Sequence, residues 1–175
     1  MFKWLLGLVI ILIVGSYYLP DTSPRVIPVA GATAKDWNAK SFWYYPWGRS
    51  RTHKGMDIFA LKGTPVLAST SGWVWSRGYD SMGGNYVLIL GAKWRFHYFA
   101  HLDRIQITSG RWVTAGEMIG SVGDSGNAQG KTPHLHYQIN NAIPDLTLAD
   151  NAPDGHLKPY YTNPQIFLAH ALTKY

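Results

Sequence analysis

Lys131-Thr132-Pro133-His134-Leu135-His136-Tyr137-Gln138-Ile139 is the stretch on which the fold turns. From His134 onward polar and apolar side chains alternate, the pattern of a half-buried β-strand. Successive residues on a strand point to opposite faces. His134 and His136 therefore share one face, roughly 7 Å apart along the chain, and Leu135 and Tyr137 share the other. One histidine taken alone is most often a satisfied structural residue. A same-face pair is a different matter. With His53-Lys54-Gly55-Met56-Asp57 upstream and His101 between the two clusters, it points to a shared site.

Outward from this strand, residues 65–69, 72–77, 85–90, 94–100, 111–113 and 118–122 read as further short strands between Gly-rich turns. Together they predict a mainly β domain built on an antiparallel sheet. The only helix expected in the body of the chain is a short one over 163–172, with Pro164 near its start. Residues 140–161, rich in Pro, Gly and Asp, read as an irregular loop.

The chain has 175 residues, enough for one ordinary domain with its own core. It has no Cys, which excludes a disulfide framework, a thiolate metal site and a Cys nucleophile. Its net charge is +6, and the excess is uneven. Arg25, Lys35, Lys40, Arg49, Arg51, Lys54 and Lys62 face only Asp36 and Asp57. A basic surface suits an anionic polymer or membrane headgroups. No helix-turn-helix, zinc-finger or RNA-binding aromatic motif accompanies the charge, so nucleic acid is not an expected partner.

At the N-terminus, Leu5-Leu6-Gly7-Leu8-Val9-Ile10-Ile11-Leu12-Ile13-Val14 forms the centre of an apolar run close to the ~20 helical residues that cross a bilayer. Lys3 precedes it, and Tyr17 and Tyr18 sit where an interfacial aromatic belt would lie. The run ends in Ser16-Tyr17-Tyr18-Leu19-Pro20, a poor cleavage site for a signal peptide. The expected organisation is a membrane anchor over 1–20, a Pro-rich linker over 21–40 and a single domain over 41–175. The lone Lys3 on the short side of the run predicts an inside N-terminus, with the domain exported.

His53 and Asp57, four apart, can approach one ion from either a helix or an extended chain. With His136 they form two imidazoles and one carboxylate. Catalytic zinc takes such a set, with its fourth position open; non-haem iron uses the same residue types. A helical H-E-x-x-H site is excluded: Glu117 is the single Glu, and 95–101 reads as a strand with His97, Phe99 and His101 on one face.

Six phrases now fall into order: Gly48 to Ile58 with its His53-x-x-x-Asp57; Gly63-Thr64-Pro65-Val66-Leu67-Ala68; Gly84 to Ile89; Tyr98-Phe99-Ala100-His101-Leu102; Gly120 to Gly126; and His134-Leu135-His136. Together they closely resemble the lysostaphin-like, LytM-type zinc endopeptidases that cleave peptidoglycan peptides. The resemblance covers about Trp47 to Ile139. It implies a β-sheet domain with a groove, and one Zn²⁺ held by His53, Asp57 and His136. His101 and His134 would be the catalytic pair beside the metal, and peptidoglycan peptides the substrate. His97 matches no catalytic position and is expected to be structural. Arg49 and Arg51, near the first ligand, and Asn85, in the phrase led by Gly84, are candidates for substrate contact.

Three other classes compete. Some domains of this family are non-catalytic and activate cell-wall hydrolases; those lose metal positions, whereas all three metal positions and both catalytic histidines of the family pattern are present here. A biotinyl carrier needs a modifiable Lys at a hairpin tip, which is lacking. A cupin-like oxygenase usually wants a Glu after its H-x-H.

Overall fold

The structure is a computed structural model and describes residues 4, 7, 11, 14–18 and 24–172. Nine strands form the sheet: β1 (Met56–Phe59), β2 (Pro65–Leu67), β3 (Gly72–Asp80), β4 (Gly84–Leu90), β5 (Arg95–Ile105), β6 (Trp112–Val113), β7 (Met118–Val122), β8 (His134–Asn141) and β9 (Tyr161–Thr162). The main order is β1-β8-β5-β4-β3-β6, with every pairing antiparallel. The strand expectations hold in order, and several run longer than expected, β5 most of all. Two strands were not anticipated. Met56–Phe59 is short and contains an Asp, a residue depleted in strands, while Tyr161–Thr162 is only a two-residue edge on β8. The rest of the expected loop 140–161 contains two 3₁₀ turns, Leu146–Leu148 and Gly155–Tyr160. The terminal helix runs Pro164–Leu172.

Alternation sorts the sheet into two faces. Ile58, Leu135, Tyr137, Phe99, Val87 and Val74 are fully buried on one of them. Phe167 and Leu168 of the terminal helix complete this core. Val29 and Trp37, from the stretch 24–40, also belong to it. Val29 bridges to Val66 and Trp37 to Ile58, and both side chains are buried. The stretch expected to be a surface linker is therefore, from Val26 onward, stitched to the sheet.

The anchor proposed for 1–20 lies largely outside the described residues. Those described there are helical, and Trp4, Ile11, Val14 and Tyr18 are exposed. Ser16 meets the domain, its hydroxyl oxygen accepting from Trp94 Nε1 at 3.1 Å. Among the described residues no helix is long and apolar enough to cross a membrane.

His97 is a core residue. Its Nδ1 lies 2.7 Å from the Tyr137 hydroxyl, which lies 2.6 Å from Ser69 Oγ. Burial, with smaller contributions from Arg95 and Arg25, pushes the His97 pKa from 6.5 down to about 3. The unfolded chain thus takes up a proton near pH 6.5 that the folded chain refuses until about pH 3. Stability from this group is present above pH 6.5 and is lost as pH falls toward 3. Urea unfolding of the metal-free protein at pH 7 and pH 5 should show a larger loss of stability in the wild type than in His97→Gln. Equal losses would mean that His97 does not contribute to the pH dependence.

Candidate metal centre and catalytic pair

Two neighbouring strands and one loop bring the candidate ligands together. Asp57 on β1 stands directly opposite His136 on β8, so both side chains leave the same face of the sheet. His53 arrives from the loop before β1 and is almost wholly buried. Trp47 stacks on its ring at 4.2 Å between centroids. The three donor atoms form a triangle: His53 Nε2 to Asp57 Oδ1 is 3.1 Å, His136 Nδ1 to Asp57 Oδ1 is 2.8 Å, and His53 Nε2 to His136 Nδ1 is 3.2 Å.

The hydrogen bonding tests whether a cation fits there. His53 Nδ1 lies 3.0 Å from the Ser41 carbonyl, which can only accept. Nδ1 therefore carries the proton, and neutral His53 turns the bare lone pair of Nε2 toward a carboxylate oxygen. Lone pairs facing each other at 3.1 Å repel unless a proton or a metal ion sits between them. Tetrahedral ligands with bonds of about 2.1 Å would lie about 3.4 Å apart, so the triangle needs only a slight expansion to hold an ion. The residues fit a metal. Burial would raise the Asp57 pKa, but bonding from His136, and from His53 when its ring carries a second proton, outweighs it and holds the carboxyl well below its usual range. Asp57 is thus ready as an anionic ligand.

The expected catalytic pair adjoins the triangle. His134 lies two residues before His136 on β8, and the ring centroids of His101 and His134 are 5.0 Å apart. His134 directs Nδ1 at the Thr132 carbonyl at 2.8 Å, and His101 directs Nδ1 at the Ser125 carbonyl at 3.0 Å. In the neutral form each therefore keeps an unprotonated Nε2. Burial, then the neighbouring His136 and His134, pushes the His101 pKa down to about 4.

The position of His101 corrects one expectation. Strict alternation joins it to His97 and Phe99, which face the core. The structure instead gives His101 a φ of 62°. Between Phe99↔Val87 and Leu102↔Asn85 the pairing contains one extra residue on β5. Such a bulge re-aims a side chain, and here it turns His101 into the groove that also holds His136. At this point β5 ends its pairing with β8 at Ala100↔His136 and takes up β7 at Leu102↔Val122.

The candidate substrate contacts separate. Arg49 lines the groove, a cavity of about 650 Å³. Arg51 is not among the lining residues; it pairs with Asp154 at 3.5 Å. Asn85 is not among them either. Its amide donates to the carbonyls of Leu102 and Asp103 at 3.1 and 3.3 Å, next to the bulge. Tyr98, Gln138, Phe59 and Lys131 line the groove but were not singled out from the sequence. Tyr98 and Gln138 were accessible to alternation, two residues from Ala100 and His136 on their strands.

Gly55 has a steric reason to lack a side chain. A Cβ there would lie 2.7 Å from His136 Cε1 and Nε2 and 2.7 Å from the Tyr137 carbonyl. Gly55→Ala should therefore displace the His136 ring and weaken metal binding by about 10–100-fold, the range seen when a ligand loses its support. Metal titration by calorimetry reads this directly, and wild-type affinity in the variant would show that the close approach does not hold the ligand.

Residues 51–147, more than half of the chain, match the Peptidase family M23. Over 111 residues the chain is 39% identical to the L-Ala--D-Glu endopeptidase of Bacillus subtilis, covering 58% of this chain and 34% of that protein. Over 92 residues it is 36% identical to the peptidoglycan DD-endopeptidase ShyC of Vibrio cholerae, covering 53% of this chain and 21% of that protein. Among solved structures, the catalytic domain of lysostaphin from Staphylococcus simulans superposes with a TM-score of 0.58 at 28% identity, covering 74% of this chain and 89% of that one. The chain spans about a fifth to a third of the length of these curated relatives. With its antiparallel sheet and its His-Asp-His triangle, this chain belongs to peptidase family M23.

Proposed function

We propose that this protein is a zinc-dependent endopeptidase that hydrolyses peptide bonds in the stem peptides or cross-links of peptidoglycan. The observation that carries the reading is the convergence of His53, Asp57 and His136 beside two histidines with unprotonated Nε2 atoms. Zinc bound to those three residues would polarise the scissile carbonyl and make water a nucleophile near neutral pH. His53 and His136 are the neutral ligands and Asp57 the anionic one. His101 and His134 supply what the single Glu of the chain cannot: Nε2 atoms that take a proton from the attacking water and return it to the leaving amine. Arg49, at the groove wall, is suited to a carboxylate of the stem peptide.

A variant series separates these roles. His136→Ala and Asp57→Ala should lose both zinc and activity on cell-wall material. His101→Ala and His134→Ala should keep zinc and lose about 10²–10⁴-fold in kcat. Arg49→Gln should raise KM for acidic substrates alone. Full activity in the presence of a chelator would overturn the metal reading. Zinc binding without hydrolysis of any wall peptide would instead favour a non-catalytic activator of cell-wall hydrolases.

We further infer that residues 1–20 anchor the domain to the inner membrane, facing the periplasm or the outside. The support is the apolar run in the sequence and the exposure of Trp4, Ile11 and Val14, which the domain leaves uncovered. Removing residues 1–20 should move the protein from the membrane pellet to the soluble fraction. A truncated protein that still pellets would overturn the anchor.

A further inference from the structure

Aromatic side chains on the groove face extend well beyond the candidate metal centre. Ala100 stands opposite His136, and Phe96 lies four residues back along β5. Phe96 stands opposite Leu90, Leu90 opposite Trp73, and Trp73 opposite Trp112. Paired residues share a face, as do alternate residues of one strand. Phe96, Leu90, Trp73 and Trp112 therefore leave the sheet on the same face as His136. A register shift between Val74 and Ser76 adds Trp75, whose ring meets Phe96 edge-on at 5.7 Å.

The three indoles are 44% (Trp73), 58% (Trp75) and 56% (Trp112) exposed. Beneath them Val74, Ile89 and Val113 are completely buried, so the core is filled without the tryptophans. A contiguous exposed aromatic patch of this kind marks an interaction surface.

We propose that this strip is a platform for the polysaccharide strand of peptidoglycan, from which the stem peptide reaches into the groove. The inference rests on the peptidoglycan reading above. A sugar ring presents an apolar C–H face and a polar edge. An indole matches both, with a broad apolar face and one N–H donor. The spacing fits as well. The strip begins about 13 Å along β5 from Ala100 and extends about 10–15 Å across the neighbouring strands. A four-residue peptide reaches at most about 14 Å when extended. From Phe96, at the near end of the strip, the candidate metal centre lies within that reach, while Trp73 and Trp112, about 20 Å or more from it, would hold neighbouring sugars of the same strand. A membrane surface is the competing occupant. The strip and the groove share one face, however, and a bilayer pressed against the indoles would obstruct the groove.

The test uses the full chain in detergent, comparing the wild type with a Trp73→Ala/Trp112→Ala double variant. Four probes are needed: intact sacculi, cross-linked stem peptides freed of sugar, glycan strands stripped of peptide, and phosphatidylglycerol vesicles. The expected result is at least a tenfold loss of kcat/KM on sacculi, carried by KM, with unchanged turnover of the free peptides. The wild type should also co-sediment with the stripped glycan strands and the double variant should not. Equal losses on sacculi and free peptides, or no loss on either, would overturn the platform. So would normal glycan binding combined with lost binding to phosphatidylglycerol vesicles, which would assign the strip to the membrane. A wild type inert on both peptide substrates would sink the endopeptidase reading instead, while glycan co-sedimentation would still report on the strip.

Discussion

The site depends on the register between β1 and β8. Asp57 lies opposite His136 because Met56 lies opposite Tyr137 and Ile58 opposite Leu135. A slip of one residue would move every side chain of β8 to the other face. Leu135 and Tyr137 would then point into the groove, and both histidines would enter an apolar core. Ile58, Leu135 and Tyr137 are fully buried, so hydrophobic burial forbids that slip. The packing that stabilises the sheet is thus also what brings the imidazoles and the carboxylate to one place.

The second constraint is the bulge at His101. A non-Gly residue at φ 62° is strained, and several remote contacts hold it. The His101 amide donates to Gly83 O at 2.7 Å. Ser125 accepts from His101 Nδ1 through its carbonyl and donates through its hydroxyl to Leu102 O. Asn85 binds the carbonyls of Leu102 and Asp103. A Cβ on Gly123 would lie 2.3 Å from Asp103 N, and Gly123 bridges to His134. The phrases around Gly84 and Gly120–Gly126 thus support His101 and His134 from behind. That gives Asn85 a positioning role next to the bulge.

Much of this was legible in the chain. Period-two alternation identified β8 and the shared face of His134 and His136, because one face is buried and the other is not. Ligand chemistry grouped His53, Asp57 and His136. Alternation failed at His101, where the backbone departs from regular β geometry. The departure is held by residues 16 to 24 positions away in sequence, and no local pattern announces them. The β1 strand was hidden because its four residues carry a ligand where a strand former would be usual. The attachment of 24–40 was hidden because Pro-rich sequence looks the same in a tether and in a segment stitched to a sheet edge.

That stitching sets a working distance. The chain is tied to the domain from Arg25 and Val26 onward, and Trp94 is already bonded to Ser16, so only the five positions 19–23 lie between the described helical residues and the described domain. Five residues extend to at most about 18 Å. If that helix is seated in a bilayer, the leash is short beside the roughly 35–40 Å width of a compact domain of about 150 residues. The groove beside the His-Asp-His triangle would then stay within a thin shell next to the lipid, and whatever enters it would have to come down to meet it.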